Sequence, residues 1–312
     1  MSTDDVVLTA LLAMQRLSWE QGLTGHAALD LGRGDLVRVI ADDAVVRQDG
    51  HGRLGQLDGD GLVNCGALVE VVDVVRAATG APLLRAALDR QLAWFEHGCP
   101  RAADGTLFHL TGGEQMWADS VYMLVPALFR LGLPGLAMAQ LDGHRSRLAD
   151  ASGLYAARWD EPSGELVAPQ HWGTGNGWVT AGLARAWRET EAVPYRAHLA
   201  AEATAVVDAC LAHRRADGLF HDVVDDPSSF VEANLAQMLA YTTLSGVADG
   251  WLDPSYAEVG RSLRMAADHV DEDGYVRPVP GSPLFDRPGR SAEAQAFYLL
   301  ATAAERRLDA VA

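Results

Sequence analysis

Two short stretches carry most of the residues able to do chemistry. One is MWADSVYMLVP (116–126), which sets Asp119 two positions after Trp117 and three before Tyr122. The other is QHWGTGNGW (170–178), which brings His171, Trp172, Asn176 and Trp178 together around Gly173, Gly175 and Gly177. Indole faces stack on the C–H faces of sugar rings, amides and carboxylates bond hydroxyl groups, and a carboxyl can also transfer a proton. The three glycines predict a backbone that approaches a ligand closely or takes positive φ. Similar polar and aromatic types recur elsewhere as Trp19, Glu20 and Gln21, as Asp60 and Asn64, as Arg158, as His221 and Asp222, as Glu232 and Asn234, and as Glu293 and Gln295. No serine or cysteine nucleophile elbow, phosphate-binding loop or zinc-binding HExxH stands in the chain. Carbohydrate chemistry fits this inventory best. Plainer roles compete with it: Asp119 as a helix N-cap, the indoles as core, His171 and His221 as hydrogen-bonded structural residues, and Glu20, Glu232 and Glu293 as caps.

Positioning such residues requires elements that converge, and the sequence repeats weakly at a period of roughly 50 residues. The repeat shows in the turns DGHGRL (49–54), DGTLFH (104–109), SGLYAARWD (152–160), DGLFHD (217–222) and DGYVRP (273–278). Each predicts a tight turn and a brief extended segment. Helical patterns poor in charge follow, starting at Ser18, Asn64, Trp117, Trp172, Phe230 and Ala292. Between them lie amphipathic helices with one charged face, at 81–98, 137–150, 195–215 and 255–270. Six buried helices alternating with solvent-facing partners predict one all-α (α/α)6 barrel over residues 1–312. Its parallel inner helices would gather their polar starts at one mouth. An open helical solenoid fits the same period. Asp225 and Asp226 before Pro227 predict a turn and a cap for a helix at Ser228 or Ser229.

Composition narrows the partners. The chain has 312 residues, 49% hydrophobic, with a formal net charge of -17. That charge argues against a nucleic-acid surface, which relies on clustered Lys and Arg. Three cysteines in no metal-ligand spacing predict neither a disulfide framework nor a metal site, and a reducing compartment. The first residues begin with acids and show neither a basic n-region nor a small-residue cleavage site, so no signal peptide is expected, and no apolar run reaches membrane-spanning length. The expectation is a cytoplasmic protein, monomeric or homodimeric, with no membrane, nucleic acid or cofactor and a small carbohydrate as its partner.

MWADSVYMLVP followed by WGTGNGW (172–178) resembles the unsaturated glucuronyl and rhamnogalacturonyl hydrolases, families 88 and 105 of the glycoside hydrolases. SWEQG (18–22), DGLFHDVVDDPSSFVEAN (217–234), GSPLFD (281–286) and EAQAF (293–297) look like further blocks of the same group. The resemblance implies an enzyme acting on the 4,5-unsaturated uronic acid left by polysaccharide lyases. It starts by hydrating the double bond, so no carboxylate attacks the anomeric carbon. It makes Asp119 the proton donor, also activating water, with apolar neighbours such as Trp117 and Trp178 expected around it. Substrate contacts are expected from Trp117, His171, Trp172, Asn176, Trp178, Asn64, Asp60, Trp19, Glu20, His221 and Arg158. Two positions depart from the group's usual pattern. Thr174 stands where an arginine suited to a uronate carboxylate is common, and Ala156, Ala157 and Arg158 stand in a block that usually holds a histidine. Arg158 or His171 is then expected to meet the carboxylate. The same departures motivate an alternative: a repurposed hydratase, isomerase or lyase acting on another enol ether or glycoconjugate, for instance in secondary metabolism. A sugar-binding barrel without turnover ranks last.

Overall fold

The computed structural model describes residues 2–56, 59 and 61–311. Among these residues, helices alternate between two concentric rings. The outer ring consists of α1 (Thr3–Met14), α3 (Gly34–Val46), α5 (Pro82–Ala93), α7 (Pro134–Leu148), α9 (Val193–Leu211) and α11 (Tyr256–Ala266). The inner ring consists of α2 (Ser18–Asp30), α4 (Val69–Thr79) with the 3-10 turn Asn64–Leu68 before it, α6 (Ser120–Arg130), α8 (Gly173–Arg188), α10 (Asn234–Ala248) and α12 (Ala292–Val311). Each inner helix packs against the next, and α12 packs against α2. That last contact closes the ring and rules out the open solenoid. The first helix, α1, covers the outside of α12, so the two ends of the chain complete the sixth pair.

The poverty of charge in the inner helices has its cause in burial. Every residue of α8 from Gly173 to Ala186 is buried, as is every residue of α10 from Asn234 to Gly246. Helices covered on all sides must approach closely, and glycine permits it. A Cβ on Gly177 would lie 2.2 Å from the Met238 sulfur of α10, and one on Gly182 would lie 2.6 Å from the Tyr122 Cα of α6. The expectation for Gly173, Gly175 and Gly177 is corrected accordingly: they lie inside α8, none takes positive φ, and at Gly177 the missing side chain makes room for a neighbouring helix. One charge is buried among them. Arg185 is 1% exposed and ties α8 to its neighbours at the end of α8 away from Trp172, with Nε 2.6 Å from Glu70 and Nη1 3.3 Å from Asp30 and 3.1 Å from the Tyr241 hydroxyl.

The five predicted turns share one backbone geometry. Gly52, Gly105, Gly153, Gly218 and Gly274 have φ of 93°, 92°, 87°, 88° and 87°, a region that only glycine enters freely. Each donates its N–H to the carbonyl three residues back, and the chain then runs extended. Short strands complete the loops at the mouth: β1 (Gln115–Trp117), β2 (Arg158–Asp160) and β3 (Glu165–Ala168) form one antiparallel sheet, and β4 (Phe220–His221) pairs with β5 (Val231–Glu232). Two helix starts move. Trp117 lies in β1, so α6 begins at Ser120. Phe230 precedes β5, so α10 begins at Asn234. No helix forms at Ser228; Asp226 accepts its N–H at 2.9 Å within a turn.

Candidate active site

At the mouth of the barrel a cavity of about 820 Å³ opens among the starts of the inner helices. Ser18 and Trp19 of α2, Asn64 of the 3-10 turn, Asp119 before α6, Trp172 before α8 and Glu293 of α12 all line it. The inner helices therefore run parallel, with their N-termini toward the cavity. Their free N–H groups and dipoles supply partial positive charge there, an environment suited to an anionic ligand.

Asp119 occupies the N-cap position of α6, yet its side chain makes no capping hydrogen bond. Its Oδ1 is buried and has no hydrogen-bond partner. The nearest cationic candidate is the imidazole of His109, whose Nδ1 lies 3.7 Å from that oxygen and 2.9 Å from the Ser120 hydroxyl. Burial holds the His109 pKa below its usual value, against the opposing pull of Asp119, so the ring is neutral at pH 7. Its flat face lies on Trp117, with centroids 4.4 Å apart and an interplanar angle of 5°. The Arg158 guanidinium also lies over this indole, 4.0 Å from the ring centroid. The β1–β2 register explains this stack, because Trp117 and Arg158 are direct cross-strand partners.

Three further carboxyls surround this point, each perturbed by burial. Glu293 is 1% exposed, and burial reinforced by Glu232 and Asp119 lifts its pKa well above the usual range. Its Oε1 accepts from Asn234 Nδ2 at 3.0 Å. Asp222 is raised to about 6 by burial, opposed by a hydrogen bond from Trp172, and its Oδ1 lacks a partner. Glu232, directly behind, is raised to about 8, mostly by burial, even though it accepts the Leu235 N–H at 3.0 Å and the Asn234 N–H. At neutral pH Glu232 is therefore mostly protonated, and burial pushes Glu293 toward its neutral form, which lowers the negative charge around the cavity. Asp119 with its unpaired oxygen can exchange a proton with a bound ligand, and the neutral carboxyls can donate hydrogen bonds. Among the described residues no cluster of His, Cys, Asp and Glu is spaced to hold a metal ion.

Of Asp119 and the eleven expected substrate contacts, the cavity brings together Asp119, Trp117, Trp172, Trp178, Asn64, Trp19 and Arg158, and it also takes in Asp222 and Glu293. Asp60 lies outside the described residues. The remaining four expected contacts are not among the residues lining the cavity. Asn176 is fully buried and holds the Tyr155 backbone, accepting its N–H at 2.8 Å and donating to its carbonyl at 2.9 Å. Glu20 caps α2 by accepting the Arg16 and Leu17 N–H groups at 2.6 and 2.8 Å. His171 is held between Asp225 at 2.8 Å and Asp150 at 3.2 Å. His221 bonds the Ser229 carbonyl at 2.9 Å and faces Arg215 at 3.0 Å. Thr174 is also buried, accepting from Asn234 at 3.2 Å. Two lining residues with aromatic or imidazole rings were missed. His109 closes the DGTLFH turn, where its position in the repeat was the available signal. Phe285 lies in GSPLFD, a segment quoted above without a role.

The double ring and its mouth cavity define an (α/α)6 six-hairpin barrel. Within that class, residues 67–299 match the model of glycosyl hydrolase family 88, and the chain belongs to that family. The unsaturated rhamnogalacturonyl hydrolase YesR of Bacillus subtilis is 28% identical over 200 residues, a match covering 59% of this chain and 56% of that protein. Among solved structures, a possible member of family GH105 from Klebsiella pneumoniae superposes with a TM-score of 0.82 at 21% identity, over 99% of this chain and 92% of its own. The unsaturated glucuronyl hydrolase of Bacillus sp. GL1 superposes with a TM-score of 0.69 at 16% identity, over 94% and 85%.

Proposed function

We propose that the protein hydrolyses short oligosaccharides ending in a 4,5-unsaturated uronic acid, with Asp119 as the proton donor. Asp119 protonates carbon 4 of the enol ether. Positive charge develops at carbon 5 and the ring oxygen, and Asp119, now a carboxylate, takes a proton from the water that adds at carbon 5. The hemiketal so formed opens to a ketone, and the anomeric carbon releases its alcohol as it becomes an aldehyde. No covalent sugar–enzyme intermediate arises, and no second nucleophilic carboxylate is required. The observation that carries this reading is the Asp119 carboxyl: at a helix N-cap, partly exposed to the cavity, with Oδ1 buried and unpartnered, and bonded to no backbone N–H. A carboxylate kept for structure would make that bond, as Glu20 does.

Arg158 meets the uronate carboxylate in this scheme. It is the one arginine among the described lining residues, and Trp117 supports its guanidinium plane. Family membership and the names of the relatives support the substrate class. The buried free thiols of Cys65, Cys99 and Cys210 suit a reducing cytoplasm, and no helix among the described residues is long and apolar enough to cross a membrane. Purified protein mixed with lyase-generated unsaturated disaccharides should bleach the ultraviolet absorbance of the conjugated double bond. Persistence of that absorbance with pectin, ulvan and glycosaminoglycan fragments alike would sink the proposal.

A further inference from the structure

The segment 281–289 forms a loop whose neck is pinched where the Gly281 and Gly289 backbones touch: a Cβ on Gly289 would lie 2.5 Å from the Gly281 Cα. The neck is fastened by the Gly281 N–H to Arg287 carbonyl bond and the Gly289 N–H to Val279 carbonyl bond, both 2.8 Å. At the tip, Phe285 has φ of 56°, a left-handed conformation unfavourable for a bulky side chain and found where the surroundings impose it. Its N–H bonds the Gly281 carbonyl at 2.8 Å, which fixes the turn, and its ring reaches Trp19 at 6.4 Å and Trp172 at 6.3 Å. These contacts continue a ladder of rings that rises from inside the barrel: Tyr122 to Trp178 at 4.9 Å, Trp178 to Trp19 at 6.0 Å, then Phe285. Exposure grows along it, from the buried Tyr122 and Trp178 to the half-buried Trp19 and Phe285. The loop therefore adds an aromatic face to the cavity at the more exposed end of this ladder.

Resting on the function proposed above, we infer that Phe285 is a specificity-determining residue that stacks on the leaving group. The unsaturated ring must reach Asp119, so the group it is bonded to points outward, toward the 281–289 loop. There Phe285, Trp19 and Trp172 offer apolar faces, and the one charged lining residue of the loop, Asp286, is paired with Arg287 at 3.8 Å. Such a rim accepts an uncharged sugar presenting its C–H face and offers no unpaired cation to a sulfated one.

The test compares the wild-type protein with Phe285→Gly, which removes the ring while suiting the positive φ. Two substrates are used: an unsaturated uronyl disaccharide with a neutral second sugar, and the methyl glycoside of the same unsaturated uronate, which has no second ring. The variant should raise KM about 10-fold for the disaccharide. With the methyl glycoside its kcat/KM should stay within about twofold. Equal losses on both substrates, no loss on either, or wild-type preference for a sulfated second sugar would overturn the role of Phe285 while leaving the hydrolase reading intact. Absence of wild-type turnover on every substrate would overturn both.

Discussion

Replacing Glu232 with glutamine should change how the protein's stability depends on pH. Glu232 is fully buried, and its pKa rises from the ordinary carboxylate value to about 8, with burial as the largest cause. Between about pH 5 and pH 8 the folded protein therefore binds a proton that the unfolded chain has already released. Stability falls as pH rises through that window, by about 1.4 kcal/mol per pH unit for this one group, with a total on the order of 5 kcal/mol. It is flat with respect to Glu232 below the unfolded pKa and again above the folded one. Glutamine keeps an acceptor oxygen for the Leu235 N–H and does not titrate. The wild-type protein and Glu232→Gln should be unfolded in urea at half-unit steps from pH 5 to pH 8. The variant's stability relative to wild type should climb by about 1.4 kcal/mol per unit across that range. Parallel curves would show that Glu232 is ionised throughout in the folded state and would refute the reasoning from burial.

Other outcomes follow from the same geometry. Arg185→Met leaves Glu70 and Asp30 facing each other without their buried cation and should cost about 3–5 kcal/mol of stability by denaturant midpoint. His171→Ala removes a side chain held by Asp225 and Asp150 outside the cavity, so kcat/KM should stay within about twofold. Arg158→Met should instead raise KM about 10-fold or more with a smaller change in kcat, because a charged hydrogen bond to the substrate is lost while the proton donor remains.

Much of this architecture could be read from the sequence because its causes are local. Positive φ at Gly105 or Gly218 demands glycine, and burial of α8 and α10 on all sides demands their near absence of charge, so both leave a repeating trace. Trp117, Asp119, Trp172 and Trp178 were legible as cavity residues because they stand at or just before the first turns of helices, and parallel helices in a ring must bring their starts together. What was not legible depends on side-chain direction. Asn176 and Trp178 are two residues apart on one helix, yet Asn176 turns to the Tyr155 backbone while Trp178 faces the cavity. Glu20 and Asp119 are both acids beside helix N-termini, and only the hydrogen-bond partners separate a cap from a free carboxyl. The glycines of GNGW looked like ligand-approach residues, because a close approach to Met238 leaves the same signature as a close approach to a sugar. Phe285 gave no signal, since its role depends on a loop path set by contacts with Trp19 and Trp172, far away in the chain.

The central claim rests on one carboxyl, and Asp119→Asn tests it directly. Because Oδ1 has no hydrogen-bond partner and caps no helix, the amide should fold with an unchanged melting temperature. It should still bind an unsaturated disaccharide, seen as a change in tryptophan fluorescence, while kcat falls by about 10²–10⁴-fold. A variant that folds, binds and still bleaches the double bond at near wild-type rate would contradict the account.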